Sequence, residues 1–103
     1  MKAMSIDRTE KTDLTRRHRR ACERAKSILE NPPASYRVVL VKDPVFDVVA
    51  WNQNEVLALR VAVDRISPED IRLVREENLP NGTVKKILKK EHGKESFEEK
   101  LIK

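Results

Sequence analysis

A chain of 103 residues can bury one hydrophobic core and not two, and no run in it approaches the roughly 18 apolar residues that span a membrane. With 39% hydrophobic and 38% charged residues and four aromatics (Tyr36, Phe46, Trp51, Phe97), the core is expected to be aliphatic and small, and a homodimer could complete it. The first residues lack the apolar stretch of a secretory signal, and Cys22 is the lone cysteine, which together point to a cytoplasmic domain without disulfides. No metal site is expected, because the two histidines, His18 and His92, are far apart and no second cysteine exists.

The net charge of +5 has a location. Residues 8–26 hold eight Lys/Arg against three acids, which equals the whole excess, while the remainder of the chain is neutral. Residues 1–8 read as a flexible tail. A helix is expected to start between Thr9 and Asp13, where hydroxyl and carboxylate oxygens can cap it. Leu14, His18, Ala21, Cys22, Ala25, Ile28 and Leu29 recur at spacings of three and four and mark its buried face. On that face His18 reads as a packing or capping residue and Cys22 as a minor core residue. Arg16, Arg17, Arg20 and Arg24 project away from it. Asn31, Pro32 and Pro33 end the helix.

Three valine-rich runs follow, at residues 36–41, 45–51 and 55–64, separated by Lys42-Asp43-Pro44 and by Asn52-Gln53-Asn54. They form a β-meander over about residues 37–64, and their near-continuous apolarity implies a sheet covered on both faces. Ser67-Pro68-Glu69-Asp70 opens a second helix with Ile71, Leu73 and Val74 inward, and Asn78-Leu79-Pro80-Asn81-Gly82 closes it. Residues 83–90 suit either a helix or a fourth strand. Residues 91–103 form a C-terminal extension in which Phe97, Leu101 and Ile102 could dock as a short strand or helix. The chain therefore reads as one α/β domain, residues 1–103, of order α-β-β-β-α-β.

That order, with Pro44-Val45-Phe46-Asp47-Val48-Val49-Ala50-Trp51 followed by Asn54-Glu55-Val56-Leu57-Ala58-Leu59-Arg60-Val61-Ala62-Val63, resembles the PD-(D/E)XK nuclease superfamily. It is nearest to archaeal Holliday-junction resolvases and related archaeal and viral nuclease-like proteins. Glu23-Arg24 resembles the Glu-Arg pair on the first helix of that family. The resemblance implies a restriction-endonuclease-like fold, a central mixed sheet flanked by helices, and DNA as partner. Counted from Asp47, the family's Glu-x-Lys falls on Arg60 and Ala62. Loss of that glutamate and lysine implies a degenerate site, with Arg60 paired to Asp47 where the family holds Mg²⁺.

The leading reading is a nucleic-acid-binding protein, DNA above all, that no longer cleaves. Its phosphate contacts are Arg16, Arg17, Arg19, Arg20 and Arg24, with Lys85, Lys86, Lys89 and Lys90 as a second patch. One alternative is an active Mg²⁺-dependent, structure-specific DNA endonuclease with migrated catalytic residues Asp47, Glu23 and Asp64. Another is a non-enzymatic protein-interaction module or viral accessory protein. In the leading reading the protein takes no cofactor.

Overall fold

The computed structural model describes the backbone of residues 2–103 and the side chains of residues 16–103. Helix α1 (Lys2–Glu30) is followed by strands β1 (Arg37–Leu40), β2 (Val48–Trp51) and β3 (Val56–Val63). Helix α2 (Pro68–Glu76) leads into β4 (Thr83–Lys90) and β5 (Phe97–Ile102). The five strands lie side by side in chain order. β1, β2 and β3 pair antiparallel, which is the expected meander. β3 and β4 are parallel, joined by the α2 crossover, and β5 returns antiparallel to β4. The sheet is therefore mixed and the domain α/β, as the sequence implied.

Two expectations need correction. The first helix begins at Lys2 rather than between Thr9 and Asp13, so residues 2–8 belong to a helix and not to a tail. The capping roles expected there, and the packing of Leu14, lie outside the described side chains. At the other end, residues 97–102 are not an appendage, because β5 forms the sheet's fifth strand with Ile102 buried. The choice left open there between strand and helix resolves as a strand, with the charged run Glu98, Glu99 and Lys100 facing solvent along an edge. The ambiguity over residues 83–90 resolves as β4, whose four lysines surround the buried Ile87 and Leu88.

Each face of the sheet has its own core. α1 covers one face with Ala21, Cys22 and Ala25 against Val38, Val48, Ala50, Leu57, Leu59, Val61 and Leu88. α2 covers the other with Val74 against Val45, Phe46, Ala58, Ala62, Ile87 and Ile102. The alternation of β3 divides it cleanly, Leu57, Leu59 and Val61 to one helix and Ala58 and Ala62 to the other, which explains its unbroken apolar run. Ile28, expected on the buried face of α1, is 40% exposed. The α2 N-terminus forms as expected. Ser67 accepts from the Asp70 N–H, and Asp70 accepts from the Ser67 N–H, a complete capping box.

Candidate functional site

The site is organised by the loop before β2. Asp43 accepts hydrogen bonds from the backbone N–H groups of Val45 and Phe46 at 2.8 and 3.0 Å, curling the chain into a tight turn. Val45 and Phe46 then both plug the α2-side core, which breaks the two-residue alternation just ahead of the strand. Asp47 consequently turns to the α1 side. Its backbone N–H bonds the Leu59 carbonyl at 2.8 Å. β2 begins only at Val48, too late to pair with Val61, and the Asp47 carboxylate supplies the missing acceptor to the Val61 N–H at 2.7 Å. The same oxygen, Oδ2, lies 3.3 Å from His18 Nε2.

His18 in turn lies 3.7 Å from the sulfur of Cys22, one helical turn further along α1. Among the described residues, His18, Cys22 and Asp47 form the group of metal-capable side chains, with all three ligand atoms within 4.8 Å of one another. Cys22 is buried, Asp47 nearly so, and His18 is half-exposed at the rim. The hydrogen bond with Asp47, with a second contribution from Cys22, outweighs burial and pushes the His18 imidazole up to about 10. An imidazole so placed is a cation at neutral pH, answering the carboxylate beside it.

Arg60 does not join this group. The expected Asp47–Arg60 pair is absent, because the loop's break in alternation puts the two side chains on opposite faces. Arg60 Nε donates to Asp70 Oδ1 at 2.7 Å, and its Nη1 donates to the carbonyls of Val45 and Pro44 at 2.8 and 3.2 Å. It clamps the loop to the start of α2. Burial drives the Asp70 carboxyl up, but the hydrogen bonds from Ser67 and Arg60 prevail and hold it below the usual carboxylate range.

Facing Asp47 from β3 are Val61 and its neighbour of like parity, Val63, neither of which can ligate or activate anything. Glu23 is exposed, and Asp64 is engaged elsewhere. Its Oδ2 accepts from Arg17 at 2.7 Å and its Oδ1 from the His92 N–H at 3.1 Å, and Arg17 draws the carboxyl below its usual value. The structure thus does not bring Glu23 or Asp64 into the metal-capable group with Asp47. Mg²⁺ takes hard oxygen donors in octahedral array. One carboxylate beside an imidazole and a thiol does not fit it.

Beside this group runs an open groove of about 340 Å³, lined by Arg17, Arg20, Arg24, Lys90 and His92 together with Glu91 and Glu95, and floored by Ala21 and Val63. Arg16, Arg19 and Arg20 are exposed on α1, and among the described residues no ion pair engages them. Arg17 and Arg24 are tied to Asp64 and Glu95. The four β4 lysines do not form one patch. Strand alternation sends Lys85 and Lys89 to the α2 side and Lys86 and Lys90 to the α1 side. Lys85 bonds the Arg75 and Glu77 carbonyls, while Lys86 and Lys89 pair with Glu99 and Glu98. Only Lys90 reaches the arginine-lined groove.

The fold is an α/β domain of restriction-endonuclease-like architecture, and comparison with solved structures gives the same fold. The chain is similar to the 1.6 Å structure of Hjc from the hyperthermophilic archaeon Archaeoglobus fulgidus, a Holliday junction resolvase, with a TM-score of 0.55 over 74% of each chain and 19% sequence identity. No family model and no curated protein matches the sequence.

Proposed function

We propose that this protein binds nucleic acid, DNA in the first instance, through the arginines of α1, on a nuclease-like scaffold that has lost cleavage. The observation that carries this reading is the concentration of the chain's entire charge excess on one helix whose Arg16, Arg19 and Arg20 remain exposed beside an arginine-lined groove. Guanidinium groups along one helix suit a phosphate backbone, because each offers a planar fork of donors and keeps its charge at any physiological pH. Such contacts position the duplex without reading its bases. The likeness in fold to a Holliday junction resolvase supports DNA as the polymer.

Cleavage is absent in this reading because the side chains around Asp47 cannot assemble the carboxylate set that holds Mg²⁺. Either count of β3 leaves the site without Glu-x-Lys: Arg60 and Ala62 by sequence spacing, Val61 and Val63 by orientation.

The test is a titration of unrelated DNA duplexes and a four-way junction with the wild type and with the triple variant Arg16→Ala, Arg19→Ala, Arg20→Ala. Binding should weaken alike on all duplex sequences in the triple variant. Incubation of junctions, flaps and nicked duplex with Mg²⁺ or Mn²⁺ should leave them intact. Unchanged affinity in the triple variant would reject the binding surface, and would favour the reading as a protein-interaction module. Cleavage abolished by Asp47→Ala would instead restore the endonuclease.

A further inference from the structure

We infer that His18, Cys22 and Asp47 form a three-ligand site for a transition-metal cation of the Zn²⁺ class, with its fourth position open to solvent. The inference stands apart from the nucleic-acid reading, since it uses none of the arginines. It rests first on distance. In a tetrahedral zinc site, bond lengths of about 2.0–2.2 Å to nitrogen and oxygen set the N–O edge near 3.4 Å, and about 2.3 Å to sulfur sets the N–S edge near 3.6 Å. The corresponding separations here are 3.3 Å between His18 Nε2 and Asp47 Oδ2 and 3.7 Å between His18 Nε2 and Cys22 Sγ. Two edges of the tetrahedron are already in place. The third ligand pair lies within the 4.8 Å that bounds the whole group, and its tetrahedral edge would be about 3.6 Å, so a shift of about 1.2 Å at most completes it.

Charge and support agree with the distances. A thiolate and a carboxylate neutralise a divalent cation, and the imidazole completes the donor set once the metal has displaced the protons that His18 and Cys22 carry in the empty site. Asp47 is held by its hydrogen bond from the Val61 N–H at 2.7 Å, the type of outer contact that aims a ligating carboxylate. Cys22 and His18 sit one turn apart on a single helix, so their spacing is fixed by the backbone. Cys22 is enclosed by the core, whereas the His18 side chain is 40% exposed, which places the free coordination position on the solvent side. Three protein ligands with one open position is the arrangement of reactive rather than purely structural zinc sites. Donor softness selects the ion: thiolate and imidazole favour Zn²⁺ and Co²⁺ over Mg²⁺.

The probe is Co²⁺ added to the reduced, metal-stripped full-length protein. Because Cys22 is the chain's single cysteine, any thiolate-to-cobalt charge-transfer band reports this residue. The expected result is that band together with intense visible absorption of tetrahedral Co²⁺, both bleached by stoichiometric Zn²⁺ and untouched by excess Mg²⁺. Cys22→Ala should abolish the band. His18→Gln and Asp47→Asn should each weaken Co²⁺ binding by more than the roughly 10–100-fold that loss of an outer contact costs. Asp47→Asn keeps an acceptor for Val61, so the variant should remain folded, as circular dichroism would verify. Absence of the charge-transfer band in the wild type would overturn the site. So would a band of undiminished affinity in both His18→Gln and Asp47→Asn, since the thiol would then be binding alone. DNA titrations run in a chelator separate this result from that of the arginine surface.

Discussion

The two faces of the sheet each carry polar groups within an apolar strand environment, and they use them to opposite ends. On the α2 face, Arg60 is consumed by structure: three oxygens from Asp70, Val45 and Pro44 accept from it, and Asp70 closes the α2 capping box as well. On the α1 face, Asp47 meets His18 at the rim of the core, next to a groove of arginines. The first is a clamp and the second is a site. What separates them is satisfaction, because a buried charge with all its partners in place adds specificity to a fold, while one that leaves a ligand position open can act on something else.

The largest expected effect lies on the clamp. Arg60→Ala leaves Asp70 without its guanidinium and should cost about 3 kcal/mol, near the lower end for breaking a buried pair because both partners keep slight solvent contact. Asp70→Ala should cost at least as much, since the cap is lost with it. The double variant should fall short of the sum, as measured by denaturant midpoints. Asp47→Ala should be milder, about 1–2 kcal/mol, since it strands the Val61 N–H and deprives only the partly exposed His18 of its carboxylate, and additive with Arg60→Ala. Strong coupling between Asp47 and Arg60 would erase the distinction between the faces.

The same comparison predicts opposite pH behaviour. His18 is raised from 6.5 to about 10 in the folded protein, so its contribution is complete below about pH 6.5 and is lost as pH rises toward 10. Asp70 is lowered from 3.8, so its contribution is present above that value and is lost as pH falls through its folded one. Thermal melts of metal-free protein should therefore show an alkaline decline that His18→Gln flattens and an acid decline that Asp70→Asn flattens. The alkaline effect should be smaller than the full shift of His18 implies, because His18 is partly exposed and screened by water.

Much of the fold was legible in the sequence. The meander, the capped α2 and the proline stop after α1 follow from local chemistry: valine-rich runs, Ser67 before Pro68, and Asn31-Pro32-Pro33. β5 was left open between strand and helix, because an edge strand bearing Glu98, Glu99 and Lys100 lacks a continuous apolar signature. The site was half legible. Asp47 stood out, but its direction depended on two consecutive buried residues, Val45 and Phe46, which no strict alternation anticipates. His18 and Cys22 share a helical face, and counting only histidines and cysteines hid the third ligand-capable residue, an aspartate from a distant loop. The β4 lysines, adjacent in sequence, were parted by the strand period.

The binding surface is the central claim, and salt dependence tests it most directly. Duplex affinity should be measured from low to moderate salt, in chelator, for the wild type and for the Arg16→Ala, Arg19→Ala, Arg20→Ala variant. If each arginine neutralises one phosphate, the wild-type plot of log affinity against log salt should be steeper than the variant's by roughly 2.5–3. Parallel plots of equal slope would show that these arginines touch no phosphate and would contradict the account.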